Sequence, residues 1–311
     1  MQIVDMSGWP PLDESARREV LESIDALAGE AARQGRDAAA VIEAAASFGR
    51  AFERYHGAAF AARVTRWDAA GGAVVRLIEP PAGCSLCLIE AGDSVVMIDS
   101  GFRCYRDELL GVIREELPDF EKRCRVMLLT HADIDHCGLI ELADEVWMSK
   151  KCAEAFGEER RGGPNLRERE PVQAAYERMI KRLSGYRTPP AEKLRAIGGT
   201  EARCEEPLRL IGCVGLDGLS FEAWEGRGGH VAGECVFVER TQRIAFTGDV
   251  YCNLKAYSPE QAAFNALAPR LMGSVDADRA AANAERRAIF GMLGESAWRI
   301  FGGHGGMREW P

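Results

Sequence analysis

The stretch Thr130-His131-Ala132-Asp133-Ile134-Asp135-His136 places two imidazoles and two carboxylates within six consecutive residues. It follows directly on the apolar run 125–130, which is typical of a buried strand, and a short helix is predicted to begin near Gly138. In α/β proteins, ligands usually bind where strands end and the following turn begins. Imidazole and carboxylate groups both bind metal ions, so the stretch is a candidate metal site.

Two of the other histidines also lie at the ends of predicted strands, where a metal ligand is expected. Of only five in the chain, His230 follows two glycines just before a predicted strand, and His304 lies between glycines just after another. Glycine-rich turns at strand ends can present a ligand without steric crowding. Asp249 follows the predicted strand at 243–247, and Asp99 ends a further strand. These positions extend the candidate site beyond residues 131–136.

The pattern along the chain predicts an α/β fold. Residues 13–62 have apolar positions at helical spacing, and Asp13 can cap the first helix. From about residue 72, short β-rich runs alternate with helical runs, which is typical of a layered α/β domain. We therefore predict an N-terminal helical extension over residues 1–70 and a main domain over residues 71–311. A polar helical insertion is predicted at about 150–200.

Composition narrows the classes of partner. The formal charge of −9 makes nucleic acid an unlikely partner, since binding to its backbone needs basic surfaces. The sequence holds no apolar run near the roughly 18–20 residues of a membrane span. The first ten residues do not have the pattern of a secretory signal, so we expect a cytoplasmic protein that acts on a small molecule.

The order of the motifs resembles that of the metallo-β-lactamase superfamily. Asp99-Ser100-Gly101 comes first, then residues 131–136, and finally the Gly-His, Gly-Asp and Gly-His pairs that end at 230, 249 and 304. The resemblance runs from about Ala73 to Gly305. It implies a four-layer αββα sandwich and a metal-dependent hydrolase in which two divalent ions share a bridging hydroxide.

The resemblance also assigns roles to individual residues. It implies seven metal ligands divided between two ions: His131, Asp133 and His230 for the first, Asp135, His136 and His304 for the second, and Asp249 bridging both. Asp99 would not bind an ion itself but would orient one of the ligand side chains, as in other members of the family. Asp135 would in addition act catalytically by accepting the proton of the attacking water.

Position 133 departs from the family pattern, which has histidine there. A carboxylate can still bind a metal, but it makes the centre less positive and more oxygen-rich. Zinc is the ion that the family implies, and the extra oxygen ligand makes manganese or iron plausible as well. Carboxylates at this position also occur in diiron relatives, although those carry glutamate.

Several functions remain open at this point. An ester-type substrate is expected, with a phosphodiester favoured over a lactone or a thioester. The alternative is a diiron oxidoreductase or an oxygen-binding sensor related to the flavodiiron proteins. The apolar N-terminal helices would either cap the core or form a homodimer interface.

Overall fold

The computed structural model describes residues 4–198 and 204–311. The first three residues of the predicted extension lie outside this range, as do residues 199 and 200 at the end of the predicted insertion. In the described residues, strands form two seven-stranded sheets with helices on both outer faces. The predicted four-layer α/β sandwich is therefore confirmed.

The first sheet is mixed. Its strands follow one another in chain order, antiparallel as far as the fourth and parallel from there on. They are β1 (Arg63–Asp68), β2 (Val74–Glu79), β3 (Leu86–Ala91), β4 (Ser94–Ile98), β5 (Cys124–Leu128), β6 (Glu145–Met148) and β7 (Leu194–Ala196).

The second sheet is largely antiparallel. Its strands also follow chain order, and among the described residues one pair, the fifth and sixth strands, is parallel. They are β8 (Cys204–Glu205), β9 (Leu208–Leu216), β10 (Leu219–Glu225), β11 (Cys235–Glu239), β12 (Ile244–Phe246), β13 (Trp298–Phe301) and β14 (Arg308–Trp310).

The helices cover the outer faces of the two sheets. They are α1 (Glu14–Arg33), α2 (Ala38–Arg54), α3 (Arg106–Glu116), α4 (Ile134–Cys137), α5 (Lys150–Arg160), α6 (Pro171–Leu183), α7 (Pro259–Asn265), α8 (Leu267–Met272) and α9 (Arg279–Leu293). Buried residues from both sheets, including Ile89, Phe237 and Phe301, form the core between them. Ile289 of α9 packs on the outer face of the second sheet. This sheet is therefore covered on both faces, which is expected for the layered arrangement of helices and sheets.

The N-terminal helices pack on the main domain. The Asp13 carboxylate accepts a hydrogen bond of 2.8 Å from the Ala16 amide and caps α1, as predicted. α1 packs on α2 and α6, and α2 packs on α8. Val20 and Phe48, on the predicted apolar faces, are fully buried within the chain. The apolar stripes therefore cap the core, and the homodimer stays an untested prediction.

The structure corrects the predicted extent of helix in the extension. α2 ends at Arg54, and a short 3₁₀ turn at Gly57–Ala59 follows it. β1 lies within the range assigned to the extension but pairs antiparallel with β2 in the first sheet. Strand β7 similarly ends the described part of the predicted helical insertion, between α6 and β8. The division into residues 1–70 and 71–311 stays a prediction.

No helix within residues 4–198 or 204–311 combines the length and the apolar composition that crossing a bilayer requires.

The aromatic contacts of α2 generate a stability prediction. Phe52 is fully buried, and its ring centroid lies 5.0 Å from that of Phe102 and 5.8 Å from that of Phe264. Phe52→Ala should lower the free energy of unfolding by about 3–5 kcal/mol, because a cavity replaces the ring. Denaturant unfolding followed by circular dichroism measures this value.

The matched control is Leu254→Ala, since the Leu254 side chain is 67% exposed. We expect that variant to change stability by less than about 0.5 kcal/mol. The prediction would be contradicted if α1 and α2 unfolded in Phe52→Ala at a lower denaturant concentration than the rest of the chain, while the midpoint of the main unfolding transition stayed at its wild-type value.

Candidate metal centre

The seven predicted ligands converge at one edge of the sandwich. Residues 131–136 follow β5 of the first sheet and run into α4. His230 lies in the loop between β10 and β11, Asp249 follows β12, and His304 follows β13, all in the second sheet. Each sheet thus supplies ligands from the loops at its strand ends, as expected for an α/β site.

The donor atoms are close enough to bind metal ions. Three sets of three residues have one donor atom each within 4.8 Å of one another. The sets are His131, His136 and Asp249; His131, Asp133 and His230; and Asp135, His136 and His304. The structure therefore brings together all seven residues named from the sequence.

Asp99 contacts the ligand-bearing segment 130–136 through its carboxylate. Its carboxylate accepts hydrogen bonds from the Thr130 amide (2.8 Å) and hydroxyl (2.7 Å), and it lies 2.8 Å from Nδ1 of His136. Its backbone has φ of +56°, in the left-handed region that aspartate enters more readily than most non-glycine residues. These contacts fit the predicted role, since a carboxylate on Nδ1 directs Nε2 of the same ring toward a metal.

Two further carboxylates brace histidines and were not anticipated. Glu234 Oε1 lies 3.4 Å from Nδ1 of His131 and also accepts a 2.7 Å hydrogen bond from the Asp249 amide. Asp276 Oδ1 lies 3.2 Å from Nδ1 of His230. Neither residue belongs to a recognisable motif, so only the fold identifies them as parts of the site.

Buried donor atoms without partners indicate that part of the site fits a metal ion. Nε2 of His131 and Nε2 of His136 are buried and make no hydrogen bond within the described residues. A side chain at Gly303 would also fill the site, since its Cβ would come within 2.1 Å of Asp249 Oδ1. Unpaired buried imidazole nitrogens are rare unless an unseen ion completes them.

The other part of the site contains a residue that the sequence did not single out. Arg167, in the turn between α5 and α6, is 6% exposed, and its guanidinium lies beside Asp133 and His230. Nε of Arg167 donates to Oδ1 of Asp133 (2.9 Å), and Nη2 donates to Oδ2 of Asp133 (2.6 Å). Burial raises the pKa of Asp133, but Arg167 and His131 outweigh burial and hold that pKa well below its usual range.

A cavity of about 810 Å³ opens directly onto the ligands. Its walls are largely apolar and aromatic, with contributions from Phe102, Ile134, Tyr176, Ile180, Leu254, Tyr257, Phe264 and Met272. Burial, followed by the charge of Asp133, raises the pKa of the lining residue Glu177 to about 8.

The brace on His136 leads to a prediction about metal affinity. Asp99→Asn should weaken the binding of a divalent ion by about 10–100-fold, because it weakens the contact that orients the His136 ring. Competition with a chromogenic chelator measures the affinity. Asp107→Asn is the control, because the Asp107 side chain on α3 is 89% exposed and pairs with Arg106 at 2.9 Å. Equal affinities in the two variants would contradict the prediction.

Comparisons with known proteins identify the family. The model of the metallo-beta-lactamase superfamily matches residues 80–286. The structure is similar to a metallo-beta-lactamase from Pontibacter korlensis (TM-score 0.50, 17% identity, covering 80% of this chain and 94% of that chain). It is also similar to a metallo-beta-lactamase from Hirschia baltica (TM-score 0.45, 15% identity, covering 79% of this chain and 92% of that chain). A further similar structure is AidC, a dizinc quorum-quenching lactonase (TM-score 0.44, 16% identity, covering 76% of this chain and 80% of that chain).

No curated protein matches the chain. The family match nevertheless spans well over half of the sequence and includes most of the candidate ligands. It confirms the resemblance inferred from the motifs. The chain belongs to the metallo-beta-lactamase superfamily, whose members are metal-dependent hydrolases.

Proposed function

We propose that this enzyme hydrolyses neutral esters or lactones that carry an apolar group. The observation that carries the proposal is the large cavity with apolar and aromatic walls that opens onto the candidate metal ligands. Apolar walls around a few convergent polar groups are typical of small-molecule sites. A substrate would place its apolar part against Phe102 and Phe264 and its ester group beside Asp135 and His304.

The charges around the cavity favour a neutral substrate over a phosphodiester. Five carboxyl groups line it: Asp133, Asp135, Glu177, Asp249 and Asp276. Of its three lining arginines, Arg167 is paired with Asp133 and Arg286 is paired with Asp276 at 3.1 Å. Arg279 is exposed at the rim. Since few cations remain for an anionic substrate, the phosphodiester favoured by the sequence becomes the competing hypothesis.

The residues of the chain have separate roles in this mechanism. A bound divalent ion would supply Lewis acidity and a nucleophilic hydroxide near neutral pH, and Asp135, His136, His304 and Asp249 would hold it. Asp135 Oδ2, which lies 3.4 Å from Nε2 of His304, would accept the proton of the attacking water. The aromatic wall would exclude bulk water and align the ester for attack.

A substrate panel tests the proposed activity. Protein loaded with zinc or manganese should hydrolyse aryl esters and acylated lactones with kcat/KM at least ten times that for a bis-aryl phosphate. Asp135→Asn, assayed at saturating metal because Asp135 is also a candidate ligand, should lower kcat by about 10²–10⁴-fold, because the proton acceptor is lost. Asp107→Asn, which changes an exposed carboxylate, should retain the wild-type kcat.

Two outcomes of this panel would contradict the proposal. Faster cleavage of the bis-aryl phosphate would favour the phosphodiesterase hypothesis. No hydrolysis, together with bound iron and an oxygen-dependent visible absorption band, would favour the diiron alternative.

The apolar wall leads to a separate prediction about specificity. Leu254 lines the cavity and is largely exposed, so substitutions there should be tolerated by the fold. Leu254→Lys should raise KM for a long-chain acyl ester by about tenfold, because a charge replaces apolar contact surface. Leu254→Ala should raise it less, and acetyl esters, which do not reach this wall, should be unaffected. An equal change in KM for both ester lengths would contradict the assignment.

A further inference from the structure

We infer that the guanidinium of Arg167 takes the place of one of the two metal ions, so that the centre holds a single divalent ion per chain. The inference departs from the two-ion centre implied by the sequence. It rests on contacts that Arg167 makes with two of the three residues expected to bind the first ion.

Arg167 uses the ligand atoms that the first ion would need. Its Nη2 lies 2.6 Å from Oδ2 of Asp133 and 2.6 Å from Nε2 of His230. Both oxygens of Asp133 accept from the guanidinium, and Nδ1 of His230 faces Asp276 at 3.2 Å. His230 therefore has no ring nitrogen left for an ion. An ion bound at this position would have to displace Arg167.

The guanidinium is held in place from several sides. Nη1 donates to the carbonyl oxygen of Val275 (2.7 Å), and the backbone amide of Arg167 donates to Oδ1 of Asn165 (2.9 Å). Asn165 is itself buried, and its Nδ2 lies 3.3 Å from Oε2 of Glu177. Arginine keeps its charge in proteins, and removal of one member of a buried ion pair is strongly unfavourable. These contacts fix the position of the Arg167 side chain, which is therefore an integral part of the site.

Arg167 also accounts for the departure at position 133. A carboxylate matches the planar fork of a guanidinium with two parallel hydrogen bonds, which an imidazole cannot accept. Aspartate in place of the family's histidine therefore suits an arginine partner at this position. The remaining donors, Asp135, His136, His304 and Asp249, would surround the single ion, with Nε2 of His131 also unpaired nearby.

Metal stoichiometry tests the inference directly. Wild-type protein saturated with zinc and freed of excess ion should contain one zinc per chain, by native mass spectrometry and by elemental analysis. His230→Ala should still contain one, since His230 binds Arg167 rather than the ion. Asp135→Ala and His304→Ala should weaken binding of that ion at least tenfold, because they remove its ligands.

Substitution of the arginine provides the converse test. Arg167→Met frees Asp133 and His230 and should raise the stoichiometry toward two, whereas Arg167→Lys, which keeps the charge, should stay at one. Thermal unfolding of each variant checks the fold. Should Arg167→Met fail to fold, the comparison of wild type with His230→Ala decides the question alone.

One pattern of results would overturn the inference: two zinc ions per wild-type chain, falling to one in His230→Ala. Manganese-loaded wild type offers a second readout, since a spin-coupled pair of ions would likewise overturn it and an uncoupled signal would support it. These measurements need no substrate. They therefore stand whether or not the proposed ester hydrolysis is observed.

Discussion

The need to neutralise buried carboxylates at one edge of the sandwich shapes the rest of the site. Burial raises the pKa of Asp249, but His304 and His136 outweigh burial and hold it well below its usual range. Asp133 is kept ionised in the same way by Arg167 and His131. The site therefore has to gather positive charge as well as ligands. A bound divalent ion would supply such a charge, and its binding would be coupled to proton release from the residues that hold it.

The fold meets this requirement by stacking two sheets whose loops are hydrogen-bonded at the same edge. The Cys235 amide donates to the carbonyl oxygen of Thr130 (2.8 Å), and the Ser85 amide donates to that of Gly303 (2.7 Å). Each bond joins a loop or strand of one sheet to a ligand-bearing loop of the other. The spacing of the ligands thus depends on the packing of the core between the sheets, which includes Phe237. Close packing of that core makes the ligand positions rigid.

The sequence singled out Asp99 and the seven candidate ligands that the fold brings together, but it did not single out Glu234, Asp276 or Arg167, for a physical reason. Residues 131–136 are contiguous, and His230 and His304 are two of only five histidines, each beside glycines. Glu234 and Arg167 are single members of sets of 48 acidic and 39 basic residues, and no local spacing distinguishes them. Their roles depend on contacts with residues distant in the chain. Strand β1 was missed similarly, since its exposed and half-buried positions show no strong apolar alternation.

The segment between β6 and β7 links the charge of the site to the shape of the cavity. It supplies Arg167 to Asp133, and its helix α6 supplies Tyr176 and Ile180 to the apolar wall. A change in this segment would therefore affect both the ion pair at Asp133 and the wall of the cavity. Asp133 and Arg167 also depend on each other, because replacing either one leaves a buried charge without its partner. For that reason the aspartate at position 133 is best understood as half of an ion pair with Arg167.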